Sequence, residues 1–144
     1  MDRTKICAFV FLLISSLTDK ETCSATVATR MASSKPSVFL TRNDYPEEGV
    51  NLLKEHFELD TWNSSVGINK EELTSALKGK FGVFCSLNDK IDADVLKNAS
   101  DLKVIATMSV GFDHLDLKEI KNRNIYVIRL IREPAGSEHF QGYF

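Results

Sequence analysis

Lys103-Val104-Ile105-Ala106-Thr107-Met108, then Ser109-Val110-Gly111-Phe112-Asp113-His114, then a polar stretch to Asn122 and Ile125-Tyr126-Val127-Ile128 read as strand, loop, helix and strand. The first run is apolar between Lys103 and Ser109, the pattern of a short strand buried on both faces. Asp116, with Glu119 three residues on, forms a capping box for a helix that ends near Asn122. A strand, a crossover helix and another strand within so few residues make a parallel unit. A chain that repeats such units builds an α/β domain.

Working towards the amino terminus, the same alternation recurs. Gly82-Val83-Phe84-Cys85-Ser86 is a second buried run between turn signals, and Asp92 after it opens a short helix carrying Val95 and Leu96. Asn69 caps a helix with Glu72 answering, Leu73 and Leu77 facing the core and Gly79 ending it. Ser37 to Thr41 is the first strand. Asp44-Tyr45-Pro46-Glu47-Glu48 starts a helix with a capping carboxylate, proline in the first turn and acids at the positive end of the dipole, and Val50, Leu53 and Phe57 are its buried face. A strand around Phe57 to Trp62 completes the set. The expectation is a flavodoxin-like, doubly wound parallel sheet of about five strands, whose ligands bind at the carboxyl ends of the strands. The tail from Glu133 to Phe144 shows no usable periodicity and reads as irregular.

Composition agrees with one folded domain. The 144 residues carry 18 Lys+Arg against 20 Asp+Glu, a net charge of −2, and 43% are hydrophobic. That leaves no basic field for a phosphate backbone, so nucleic acid is not an expected partner. No His, Cys, Asp and Glu spacing suggests a metal site.

Residues 1–34 form a leader unlike the rest. Ile6 to Leu17 is a nearly unbroken apolar run of twelve residues after Arg3 and Lys5, well short of the ~20 that span a bilayer. Charged start, apolar centre and small residues at Cys23, Ala25 and Ala28 make residues 1–25 resemble a secretory signal, which would export the chain. The other reading places the working start at Met31 and the protein in the cytoplasm. Cys85 is the single cysteine beyond the leader, which excludes an internal disulfide there and leans towards a reducing compartment.

Two loops follow buried strands at the expected ligand edge: Ser86-Leu87-Asn88-Asp89 and Ser109 to Asp113. In the second, Gly111 allows close backbone approach, and the amides of Val110 and Gly111 could hold a carboxylate. On spacing alone, a glycine that merely makes a turn explains the pattern equally well.

The run Leu102 to Ile125, with Thr107-Met108-Ser109-Val110-Gly111 and Asp113-His114 at its centre, resembles the amino-terminal domain of D-isomer-specific 2-hydroxyacid dehydrogenases, in the glyoxylate reductase/hydroxypyruvate reductase branch. Val38 to Arg42 and Gly82 to Cys85 are similar to that branch's first and third strands, and the likeness covers about Lys35 to Val127. The resemblance implies an oxidoreductase that reduces glyoxylate or hydroxypyruvate, small 2-oxo acids, with NADPH or NADH. It implies that Val110 and Gly111 bind the substrate carboxylate, that Ser86, Leu87 and Asn88 close the other side, and that Ser109 and Asp113 structure the loop, Asp113 by hydrogen bonds to backbone. His114 is structural on this reading, because the family's proton donor lies further along the chain.

The resemblance also marks a departure. Residues 35–128 match the substrate domain, whereas 129–144 diverge, and the nucleotide-binding domain and the returning carboxyl-terminal segment do not appear. Glycines stand at 49, 67, 79, 82, 111, 136 and 142, and no three give Gly-x-Gly-x-x-Gly. The expectation is that this chain alone has no catalytic residues, binds no nucleotide cofactor and exposes apolar surface that the family covers. Either it is a fragment of a reductase or an inactive binding module. Family members dimerise, but largely through the absent domain.

Overall fold

The computed structural model describes residues 35–132 and 138–143. Both readings of the leader lie outside the described residues. Four short strands alternate with four helices in chain order: β1 (Ser37–Leu40), α1 (Glu47–His56), β2 (Glu58–Thr61), α2 (Lys70–Ala76), β3 (Gly82–Cys85), α3 (Ala93–Lys97), β4 (Val104–Thr107) and α4 (Leu117–Asn122). A longer β5 (Tyr126–Arg132) and β6 (Glu138–Tyr143) follow.

The sheet runs β2-β1-β3-β4-β5-β6. The first five strands are parallel, in the doubly wound order expected from the sequence, and β6 pairs antiparallel with β5. That sixth strand corrects the reading of the tail as irregular. Ile128, Leu130 and Arg132 face Gly142, Phe140 and Glu138, so β5 also continues past Ile128 and β6 caps what would otherwise be a bare edge.

Alternation along the strands divides the core between two faces. Phe39, Val83, Cys85, Ile105 and Val127 pack on one side with Leu73 of α2, Val95 and Leu96 of α3 and Ile120 of α4. Val38, Leu40, Phe84, Val104, Ala106 and Ile128 pack on the other with Leu53 of α1 and Phe57. Each buried Val, Leu, Ile or Phe among them contributes about 1.5–3 kcal/mol from burial. The switch between faces falls at the β1/β3 boundary, where α1 leaves for one side and α2 arrives on the other. Gly82 sits at this boundary because a Cβ there would meet Val38 at 3.3 Å.

Three of the four helix starts follow the sequence reading. Asn69, Asp92 and Asp116 accept from the amides of Glu72, Val95 and Glu119. Gly79 takes φ +72 just beyond α2, the left-handed turn that stops the chain. Asp44 is the exception. Its carboxylate pairs with the Arg42 guanidinium, Nε to Oδ1 at 2.8 Å, and Pro46 stands at the cap with no side-chain hydrogen bond. In α1, Gly49 and Leu53 are buried and Val50 only half so.

The expected apolar exposure does not take the form of a bare sheet face, since Val104, Ala106 and Ile128 are all buried. The exposed large hydrophobics among the described residues are Val66, Leu87 and Val110. Two of these three lie in the candidate loops. No described helix is long and apolar enough to cross a membrane.

Candidate functional site

Cys85 and Thr107 are register partners at the carboxyl ends of β3 and β4, so the loops that begin at Ser86 and Met108 rise side by side from adjacent strands. The parallel sheet thereby brings together the two segments singled out from the sequence. At their tips Leu87 is 59% and Val110 43% exposed, two apolar side chains held in water.

The upper loop is fixed by its polar side chains. Ser109 Oγ donates to the Gly111 carbonyl at 2.8 Å, and lies 2.9 Å from Thr107 Oγ1. His114 Nε2 is 2.9 Å from the same threonine hydroxyl and 3.5 Å from Ser109 Oγ. Thr107, Ser109 and His114 are all buried, and burial pushes the His114 imidazole below its ordinary range despite the nearby carboxylates of Asp89 and Asp113. His114 is therefore part of the loop's foundation. Asp113 is exposed, and its carboxylate makes no hydrogen bond to a described residue. The anchoring expected of it falls to Ser109 and to Arg129, the latter at the register position opposite Thr107 on β5. Arg129 Nη1 donates to the Val110 carbonyl at 2.5 Å, and its guanidinium lies 4.7 Å from the centroid of the Phe112 ring.

The Arg129 contact fixes the Val110–Gly111 peptide plane, and the Ser109 contact fixes the next one, Gly111–Phe112. A trans peptide sets its N–H opposite its C=O. With the Val110 carbonyl turned towards Arg129, the Gly111 N–H points the other way. Neither the Val110 nor the Gly111 amide donates to a described residue. Two consecutive amides thus lack an acceptor among the described residues, beside the exposed Val110 side chain.

The lower loop is organised by Asp89. This buried carboxylate accepts through Oδ2 from Thr41 Oγ1 at 2.6 Å, from the Ser86 amide at 2.7 Å and from Ser86 Oγ at 3.0 Å. It ties the ends of β1 and β3 together across the switch point. Ser86 is consequently committed to Asp89, while Leu87 and Asn88 face outward. Asp89 Oδ1 is buried without a hydrogen-bond partner, close to Gly67, where an added Cβ would lie 3.8 Å away. Sequence reasoning missed this role, because Thr41 and Asp89 are 48 positions apart and no local motif joins them.

Among the described residues, the β1–α1 turn lacks the features of a dinucleotide cradle. The turn from β1 into α1, Thr41 to Pro46, holds no glycine, and the first turn of α1 carries Glu47 and Glu48, which would repel a pyrophosphate. Elsewhere, an open cleft between α2 and α3 is lined by charged and polar side chains, Lys70 among them pairing with Asp92 at 2.8 Å and Asp94 at 3.0 Å. It reads as a solvated ionic face. No cluster of metal-ligating side chains occurs among the described residues.

Comparison with known proteins places this arrangement among relatives. Residues 38–133 match the family model described as D-isomer specific 2-hydroxyacid dehydrogenase, catalytic domain. A glyoxylate reductase from Pyrococcus furiosus is 39% identical over 93 residues, covering 65% of this chain and 27% of the relative. One from Thermofilum pendens is 44% identical over 98 residues, with 65% and 27% covered. The solved PH0520 protein from Pyrococcus horikoshii superposes with a TM-score of 0.60 at 32% identity, covering 66% of this chain and 27% of that one. The chain thus spans little more than a quarter of the length of the relatives it matches.

Proposed function

Given that this chain belongs to the D-isomer specific 2-hydroxyacid dehydrogenase family, we propose that it supplies the carboxylate-binding side of a glyoxylate or hydroxypyruvate reductase. The observation that carries this reading is the pair of Val110 and Gly111 amides, the second in the peptide plane that Arg129 holds, with no acceptor among the described residues. Similarity to curated glyoxylate reductases supports the choice of a small 2-oxo acid. In this reading the substrate carboxylate accepts from both amides. Leu87 and Val110 screen it from water, and Asn88 closes the far side.

Each charge-assisted hydrogen bond is worth about 1.5–3 kcal/mol. Two of them, set against the cost of association, hold a small acid only weakly. Hydride transfer lies beyond this chain's residues. No dinucleotide fingerprint occurs in the sequence, and neither a catalytic acid nor a nucleotide cradle is assigned to these residues. The cofactor, NADPH or NADH in the family, is held by other parts of a complete enzyme.

Binding measured by calorimetry on the full chain tests the proposal. Glyoxylate and hydroxypyruvate should bind with about millimolar affinity, their methyl esters at least about tenfold more weakly, and NADPH with either acid should not be consumed. Equal binding of acids and esters would remove the carboxylate nest from the account.

A further inference from the structure

The hydroxyl bonds beneath the loop have one consistent direction. A serine hydroxyl has a single proton, and Ser109 gives its own to the Gly111 carbonyl. Thr107 must then donate to Ser109 across their 2.9 Å contact. That uses the one threonine proton, so Thr107 accepts from His114 Nε2 at 2.9 Å. The imidazole therefore carries its proton on Nε2. Its Nδ1 is buried without a hydrogen-bond partner, a place where a bare lone pair is tolerated and a second N–H would be left unsatisfied.

Resting on the reading of Val110 and Gly111 as a carboxylate nest, we propose that His114 is a positioning residue. Its Nε2–H, relayed through the hydroxyls of Thr107 and Ser109 to the Gly111 carbonyl, holds the Gly111–Phe112 peptide plane and so fixes the chain on the far side of the Gly111 amide. His114 touches no substrate in this scheme. The relay runs from the base of the loop upward, while Arg129 holds the Val110 carbonyl from the side. The two clamps act on successive peptide planes.

Protonation keeps the Nε2–H donor and adds an Nδ1–H buried without an acceptor, which loosens the base of the loop. The charged groups facing His114 are Asp89, from the turn after β3, and its neighbour Asp113, and both favour the cation; the Cys85 thiol on β3 lies beside Thr107. Burial outweighs the carboxylates and holds the ring neutral below its usual range. Glyoxylate binding should consequently be flat through neutral pH and fall as the ring is driven to its cation.

The test combines ¹⁵N-histidine NMR on the full chain with glyoxylate titrations of His114→Gln, His114→Phe and Thr107→Val. Gln keeps an N–H donor, Phe keeps bulk without one, and Val removes the middle hydroxyl. The expected result is a neutral ring protonated on Nε2, binding within about twofold of the parent for Gln, and a loss of about fivefold or more for Phe and Val, the scale of one hydrogen bond. The acid limb of the binding profile should vanish in the Gln variant. A ring protonated on Nδ1, or a Phe variant that binds as the parent does, would overturn the proposal. If Phe fails to fold, the parent's tautomer and the Val variant decide. If the parent binds no glyoxylate, the carboxylate reading fails, whereas the tautomer and the Val110 and Gly111 amide signals in the variants still judge the relay.

Discussion

Arg129, on the strand next to β4, donates to the carbonyl of Val110 at 2.5 Å, so a residue of β5 steadies the loop that carries the Val110 and Gly111 amides. The bond reaches across 19 positions of chain, and the guanidinium also covers the Phe112 ring. Replacing Arg129 with Met keeps most of the aliphatic stem and removes the donor. The expected outcome is about five- to thirty-fold weaker glyoxylate binding, corresponding to about 1–2 kcal/mol. The thermal midpoint should hardly move, since the contact lies near the surface. Differential scanning fluorimetry beside calorimetry separates the two effects, and an unchanged affinity would show that the clamp does not aim the nest.

Asp89 should matter more to stability than any other polar residue described. Its Oδ2 serves three donors from β1 and the β3 turn. Asp89→Ala leaves those donors without their acceptor in a buried place, which costs about 2–4 kcal/mol. Urea unfolding should show a lower midpoint with little change in slope. A loss under about 0.5 kcal/mol would mean that the three donors find other partners.

Stability should also depend on pH through His114. The folded state holds this imidazole below the ordinary 6.5, so between the two values the unfolded chain binds more protons than the folded one. The contribution is complete above about pH 6.5 and is lost progressively as pH falls from there towards the lower folded-state value. His114→Gln should flatten that limb of the profile. A parent and variant with the same slope between neutrality and pH 5 would contradict the assignment, pH 5 being an approximate lower bound chosen above the carboxylate range.

Cys85 is buried on β3, and burial pushes its thiol up to about 12. Thiolate is the reactive species, so Cys85 should resist alkylation in the folded chain at mildly alkaline pH and react once urea opens the core. Peptide mapping distinguishes it from Cys7 and Cys23. Prompt labelling of Cys85 under native conditions would place β3 nearer solvent than described.

Much of this architecture is written locally. Asn69, Asp92 and Asp116 are followed three residues on by the amides they cap, so a short window suffices to find them. Val83-Phe84-Cys85 and Val104-Ile105-Ala106 are apolar throughout and buried on both faces, and that continuity is visible before any pairing is known. Asp44 misleads because Arg42, two residues back, competes for the same carboxylate. β6 is illegible for another reason. Glu138-His139-Phe140-Gln141-Gly142-Tyr143 lacks strand alternation, and its conformation comes from pairing with β5. Gly142 fits there because the Tyr126 ring occupies the space a Cβ would need.

Of the candidate site, the sequence locates the two loops but not what holds them. Val110 and Gly111 stand out as a glycine-containing turn after a buried strand. Thr41 with Asp89 and Val110 with Arg129 depend on strand order and register, which no local pattern encodes. Asp113, adjacent and charged, looks like the anchor in one dimension. In three, the anchoring belongs to Ser109 and Arg129.

The most direct test of the carboxylate nest is a residue-resolved titration of the ¹⁵N-labelled chain with glyoxylate, read at the amides of Val110 and Gly111. The account predicts that both signals move saturably with the acid and stay put with its methyl ester, and that Gly111→Pro, which removes one donor, abolishes the Val110 response. Saturable shifts confined to other residues, with these two amides unmoved, would contradict it.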